Sequence, residues 1–247
     1  MNSESIKHQY DEDGVVILRQ AFSVEEIGGL AQHLNDFLRD VVPTLEAGDV
    51  YFENTPGRPV KSVFRMEQHD AYFQALSDDR RLRGLAELLL SDKEVSCWSV
   101  GFFGKPAQDG SVTPAHRDNV FQHWDPPEAV TLTIAVDESS LENGALICQR
   151  GTHRLGALPH RPSGVQGFSM ALIEPPDLTV HPEVPLCMKP GDIAAHHITT
   201  VHRSDANRTD QSRRQIAIGY YSSRAKQDQD ALAEYKARLG KLHTPGS

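Results

Sequence analysis

Apolar and polar positions fall into two textures along the chain. The run Gly14-Val15-Val16-Ile17-Leu18 reads as a short strand. Ser23 with Glu26 three residues on forms a capping box, and apolar residues then recur at Ile27, Leu30, Leu34, Phe37, Leu38 and Val41. That spacing predicts an amphipathic helix over about 24–41. Phe73, Leu76, Leu82, Leu85 and Leu88 predict a second helix over about 70–90. Beyond residue 95 the apolar segments become short and β-like: Val95–Phe103, Ala129–Val136, Ala145–Cys148, Phe168–Ile173, Ile193–His197 and Gln215–Tyr221. Turn-forming clusters such as Asp109-Gly110, Glu142-Asn143-Gly144 and Pro190-Gly191-Asp192 separate them. Regularly spaced short strands with turn signals predict an antiparallel sandwich or barrel. Residues 227–241 read as a closing helix.

No repeat, low-complexity tract or long linker interrupts the chain. The expectation is one domain over 1–247, with a helical N-terminal segment over 1–94, a β core over 95–224 and a C-terminal helix over 225–247. The fold class is α+β, mainly β.

Charge and composition narrow the partners. The 247 residues carry 25 basic and 34 acidic side chains, a formal net charge of −9. A general nucleic-acid binder needs a basic face, so no nucleic-acid partner is expected. No apolar run approaches the ~18 residues of a membrane span. The opening MNSESIKHQYDEDG holds no apolar core of a secretory signal. Cys97, Cys148 and Cys187 are odd in number and widely spaced, unlike a disulfide framework or paired zinc ligands. A cytoplasmic protein acting on a small molecule is the expectation. The pattern does not address oligomeric state.

Histidine is where chemistry enters. His-x-Asp/Glu on a strand puts an imidazole and a carboxylate on one face, two neighbouring ligands for a metal. Three such pairs occur: His116/Asp118, His123/Asp125 and His181/Glu183. With 12 histidines and 34 acids, ~1.7 pairs would arise by chance, so context must decide. Asp125 runs into Pro126-Pro127, and Pro182 interrupts the third pair. His116/Asp118 follows Thr113-Pro114-Ala115 without an internal proline. The segment from Pro190 to Ser204 supplies His196, His197 and His202 as candidates for a third ligand. Arg213 and Arg214 enter the next strand.

In order and spacing, these features resemble the phytanoyl-CoA dioxygenase family of Fe(II)/2-oxoglutarate-dependent oxygenases. The resemblance runs through Tyr10–Ile17 with Ser23–Glu26, the His116/Asp118 pair, Ala129–Asp137, Glu142–Leu146 and Gly151-Thr152-His153. It continues through Gly191-Asp192, His202, Ser204, Asn207 and Arg213. It implies a double-stranded β-helix, or cupin-like jelly roll, flanked by helices. It implies Fe(II) on His116, Asp118 and His202, with 2-oxoglutarate and O2 as cosubstrates. Arg213 would hold the distal carboxylate of 2-oxoglutarate, with Ser204 as hydroxyl donor and Arg214 pointing away. Intact Asp118 argues against halogenation, because halogenating relatives replace this carboxylate. The implied reaction is hydroxylation with release of succinate and CO2. Two other readings stay open: a metal-dependent cupin-type lyase or isomerase, and a non-catalytic small-molecule-binding barrel.

Alternation adds cavity residues. Thr131, Thr133 and Ala135 share one strand face that suits a ligand-lined interior, Thr131 beside the cosubstrate and Thr133 beside the substrate. Gln122 and Trp124 are expected on the cavity wall. Lys61 and Arg65, four apart and on one face, suggest an anionic group to be met there. These residues predict a small polar substrate bearing a carboxylate, phosphonate or phosphate. The 7% aromatic content weighs against a large apolar cavity.

Overall fold

The computed structural model describes residues 2–165 and 167–242, with side chains as far as residue 237. Helices α1 (Ser3–Asp13), α2 (Val24–Asp40), α3 (Met66–His69), α4 (Ala71–Ser77) and α5 (Arg80–Leu90) dominate the N-terminal region. With them lie strands β1 (Val15–Leu18), β2 (Val50–Phe52) and β3 (Val60–Val63). Then come β4 (Val95–Lys105), β5 (Thr113–His116), α6 (Asn119–Gln122), β6 (Trp124–Asp125), β7 (Ala129–Ala135) and β8 (Leu146–Gln149). The chain continues with β9 (His160–Val165), β10 (Phe168–Leu172), β11 (Glu183–Pro185), β12 (Ile193–His197) and β13 (His202–Ser204). It ends in β14 (Arg213–Ser222), β15 (Lys226–Gln227) and α7 (Gln229–Leu242).

Two antiparallel sheets make the jelly roll. The larger has the order β1-β12-β7-β14-β4-β3-β2, and the smaller β11-β8-β13-β5. Alternation along the larger sheet sorts its side chains. Val130, Leu132 and Ile134 of β7 and Ile216, Ile218 and Tyr220 of β14 join an apolar core with the helices. That core takes Ile27, Leu30, Leu34 and Phe37 from α2 and Leu82, Leu85, Leu89 and Leu90 from α5. Each such large side chain contributes ~1.5–3 kcal/mol by leaving water. The opposite face carries Thr131 and Thr133 of β7 and Arg213, Gln215 and Ala217 of β14, and it lines a cavity between the sheets.

The capping box at Ser23 is present. Glu26 N–H donates to Ser23 Oγ at 3.2 Å, and Ser23 N–H to Glu26 Oε2 at 2.7 Å. The helix expected over 70–90 is instead two. The first stops at Ser77, and the Asp79 carboxylate accepts from Arg81 N at 2.8 Å to start the second. Helix α1 was not anticipated. Its only buried side chain is Tyr10, so its apolar period is weak. No helix among the described residues is long and apolar enough to cross a membrane.

Candidate active site

The smaller sheet brings two histidines together by register. His202 of β13 pairs directly with His116 at the end of β5. After His116 the strand stops. Arg117 turns the other way and is buried, donating to the carbonyls of Thr152, Leu155 and Gly156. That anchor fixes the corner from which Asp118 returns to the histidines. Asp118 Oδ1 lies 3.5 Å from His116 Nε2 and 3.3 Å from His202 Nε2. One ligand atom from each of the three residues falls within 4.8 Å of the others.

The ring orientations suit a metal. His116 Nδ1–H donates to the Pro114 carbonyl at 2.8 Å, and His202 Nδ1–H to the Thr200 carbonyl at 3.0 Å. Both Nε2 atoms are therefore turned toward Asp118. Burial alone would raise the Asp118 carboxyl. The charge of His202 and hydrogen bonds from His116, His196 and His202 outweigh it and hold the group well below the usual range. Asp118 Oδ2 also accepts from Thr131 Oγ1 at 2.9 Å and from His196 Nε2 at 3.1 Å. His196 thus backs the carboxylate, a role sequence reading missed because consecutive histidines on a strand face opposite ways. Its neighbour His197 faces the N-terminal side, 6.1 Å from the Tyr10 ring.

Two cavities meet at this triad. The smaller, about 100 Å³, runs from the histidines past Thr133, Ser204 and Gln215 to Arg213, Lys105, Lys61 and Glu53. Arg213 is 4% exposed; its Nη1 donates to Gln215 Oε1 at 2.5 Å, while its Nε has no partner among the described residues. Arg214 faces away, as expected, in a two-pronged pair with Asp137 at 2.8 Å. Lys105, directly across the sheet from Arg213, is 3% exposed. Burial, then the adjacent guanidinium, pushes its ammonium down to about 7. Sequence reading missed Lys105 and Glu53 as site residues; neither stands in a motif, strand pairing brings Lys105 beside Arg213, and Glu53 reaches the same cavity against Ser111.

The larger cavity, about 370 Å³, opens on the other side of His116 and Asp118. A chain of rings bounds it. Tyr51 packs on Phe64 at 5.8 Å, Phe64 on Phe103 at 5.6 Å and Phe103 on Phe168 at 6.2 Å. Phe168 and Phe121 flank the ligand His116 at 5.6 and 5.5 Å, and Tyr235 of α7 meets Phe121 at 6.1 Å. Seven of the 17 Phe, Tyr and Trp residues line this cavity, against the weight given to their low overall content. The facing wall combines small residues with the Trp98 indole. Gly101 and Ala217 pair across β4 and β14, and a Cβ on Gly219 would fall 2.1 Å from the Trp98 indole.

The remaining expected site residues separate. Lys61 lies in the smaller cavity, donating to Ser111 Oγ at 2.8 Å. Arg65 lies at the larger one, paired with Asp49. They do not converge on one anion, because Arg65 adopts a left-handed backbone (φ 57°) that ends the strand alternation assumed for the pair. Gln122 lines the larger cavity. Thr133 lines the smaller, and Ser204 Oγ donates to the Gly144 carbonyl at 2.8 Å. Trp124 is a correction. It lines neither cavity but stacks on Tyr221 at 4.2 Å, in a satellite core with Ala129, Ile198 and Ala225. The helical turn α6 breaks the alternation on which its placement rested.

Fold and site together define a metal-dependent jelly-roll enzyme with a His–Asp–His triad whose histidines are buried. The chain matches the phytanoyl-CoA dioxygenase (PhyH) family over residues 10–215 and belongs to it. It is 26% identical over 225 residues to a probable alpha-ketoglutarate-dependent hypophosphite dioxygenase of Stutzerimonas stutzeri, covering 89% of this chain and 78% of that protein. It is 25% identical to phytanoyl-CoA dioxygenase domain-containing protein 1 of Mus musculus, covering 87% and 89%. Its fold is similar to that of EctD from S. alaskensis with bound Fe, at TM-score 0.75 and 23% identity over 90% of this chain and 77% of that one. The same holds for the alpha-ketoglutarate-dependent carbocyclase SnoK from nogalamycin biosynthesis, at TM-score 0.75 and 20% identity over 100% and 94%. The protein is an iron- and 2-oxoglutarate-dependent dioxygenase.

Proposed function

We propose that this dioxygenase hydroxylates a small molecule held in the larger cavity, with 2-oxoglutarate in the smaller one and succinate and CO2 as co-products. His116, Asp118 and His202 would hold Fe(II). Two neutral imidazoles and one ionised carboxylate on one face are the donor set that leaves positions open for cosubstrates. Bound there with 2-oxoglutarate, the iron supplies the oxidising power for attack on a C–H bond.

The chain's own residues do the rest. Thr131 and His196 fix Asp118 through its outer oxygen, so the carboxylate cannot swing from the histidines. Arg213 and Lys105 would meet the distal carboxylate of 2-oxoglutarate by charge-assisted hydrogen bonds. The ring belt keeps water from the reacting carbon and packs the apolar body of the substrate. Gln122 and Arg65 remain on that cavity wall to meet a polar group, which keeps a compact, polar-edged substrate ahead of a long acyl chain. The free thiols of Cys97, Cys148 and Cys187 suit a reducing, cytoplasmic setting.

One observation carries this reading: the buried Nε of Arg213, unpartnered among the described residues, lines a cavity that starts at the triad. It calls for an anion, and it disfavours a lyase or isomerase without an acidic cosubstrate. The test is a panel of small cyclic and polar-edged compounds scored by succinate release from 2-oxoglutarate with Fe(II) and O2. Substrate-triggered succinate is the expected outcome. Turnover of a compound with no consumption of 2-oxoglutarate would refute the assignment.

A further inference from the structure

The far end of the smaller cavity is closed by one serine whose polar groups are all engaged. Ser111 N–H donates to Glu53 Oε1 at 2.9 Å, its Oγ accepts from Lys61 Nζ at 2.8 Å, and its carbonyl accepts from Lys105 Nζ. Ser111 lies five residues before His116 along the segment that becomes β5. Arg213, at the start of β14, lies six residues before Gly219, which pairs with Thr131 beside the triad. Both segments therefore run from the closed end toward the metal ligands. Glu53, Lys61, Lys105 and Arg213 are each 6% exposed or less and line that end together. Three cations and one carboxylate leave an excess of positive charge. The chamber thus attracts one incoming carboxylate, and its own carboxylate repels any that comes too far.

We propose that Glu53 gauges the length of the oxoacid cosubstrate, admitting 2-oxoglutarate and rejecting its next higher homologue. This rests on the assignment of 2-oxoglutarate to the smaller cavity. A five-carbon oxoacid bound to the iron that the triad would hold would direct its distal carboxylate toward Arg213 and Lys105. One more methylene drives that carboxylate toward Glu53 and the Ser111 clasp, where two buried carboxylates face each other without a proton between them. Rejection by a built-in like charge is a common source of specificity. Glu53 also accepts from Ser111 N–H, so the gauge and the closing loop are held in one place.

The test is anaerobic calorimetry of the Fe(II)-loaded protein with 2-oxoglutarate and with 2-oxoadipate, which reads binding rather than turnover. Wild type should prefer 2-oxoglutarate. Glu53→Gln keeps an acceptor for Ser111 N–H and should lower that preference about tenfold, the cost of one close like-charge contact. Glu53→Asp withdraws the charge by one methylene and should lower it by a smaller factor; it tests the gauge even if the glutamine variant does not fold. Arg214→Ala alters a residue outside the chamber, paired with Asp137, and the preference should hold. An unchanged ratio in folded Glu53 variants would overturn the gauge, as would an equal loss in Arg214→Ala, which would assign selectivity to the rigidity of the sheet. Failure of wild type to bind 2-oxoglutarate would instead overturn the cosubstrate assignment on which the gauge depends.

Discussion

Replacing Lys105 by methionine should stabilise the ligand-free protein at neutral pH while weakening its hold on 2-oxoglutarate. The stem of Lys105 runs between Gly110 and Gly144; a Cβ on either would fall 2.7 or 2.5 Å from it. Methionine keeps that stem and removes only the charge. Burial and the neighbouring guanidinium bring the ammonium from 10.5 to about 7. The unfolded chain therefore binds more protons than the folded one between pH 7 and 10.5, and wild-type stability rises with pH across that window. At 1.36 kcal/mol per unit, the charge costs the fold ~4 kcal/mol at pH 7 and ~1 kcal/mol at pH 10. Losing the hydrogen bond to the Ser111 carbonyl returns ~1–3 kcal/mol against the variant. The variant should gain ~1–3 kcal/mol at pH 7, or ~2–10 °C in Tm, and lose its advantage by pH 10. Urea unfolding of both proteins at pH 7, 8.5 and 10, without metal or cosubstrate, measures the difference. A stability difference that stays flat over this range would refute the argument, because it would mean Lys105 ionises as freely in the fold as in the open chain.

Other expected outcomes follow from the same site. Alanine at His116, Asp118 or His202 should abolish Fe(II) binding in an iron titration, whereas His123→Ala and His181→Ala should retain it. Arg213→Ala should weaken 2-oxoglutarate binding by ~2–5 kcal/mol in calorimetry. Arg214→Ala should leave that binding near wild type and lower Tm, since Arg214 joins β14 to Asp137 and to Asn35 of α2. Tyr235→Phe removes the 2.7 Å bond to Ser169 that ties α7 to β10 over the larger cavity. It should raise the rate of succinate release uncoupled from substrate oxidation, measured as the succinate-to-product ratio.

Local pattern was enough for much of the architecture. The capping box at Ser23, the period of α2 and the alternation of β7 are properties of adjacent residues, and the backbone follows them. His116, Asp118 and Arg213 were singled out through the resemblance to the family, not by local pattern alone. What pattern could not carry was anything made by pairing residues far apart in the chain. Trp124 left the cavity because one turn of helix, Asn119–Gln122, replaced the assumed extended segment. Lys61 and Arg65 parted because a single left-handed residue ended their common face. Lys105 met Arg213, and Glu53 met Ser111, only through the register of β4 on β14 and the path of the 106–112 loop. His196 reached Asp118 only because β12 lies beside β7. Sequence by itself determined which faces are apolar and which residue types could bind iron and a carboxylate. Tertiary structure alone decided which of the charged and aromatic residues share a cavity, because non-local strand pairing sets those distances and leaves no periodic trace in the chain.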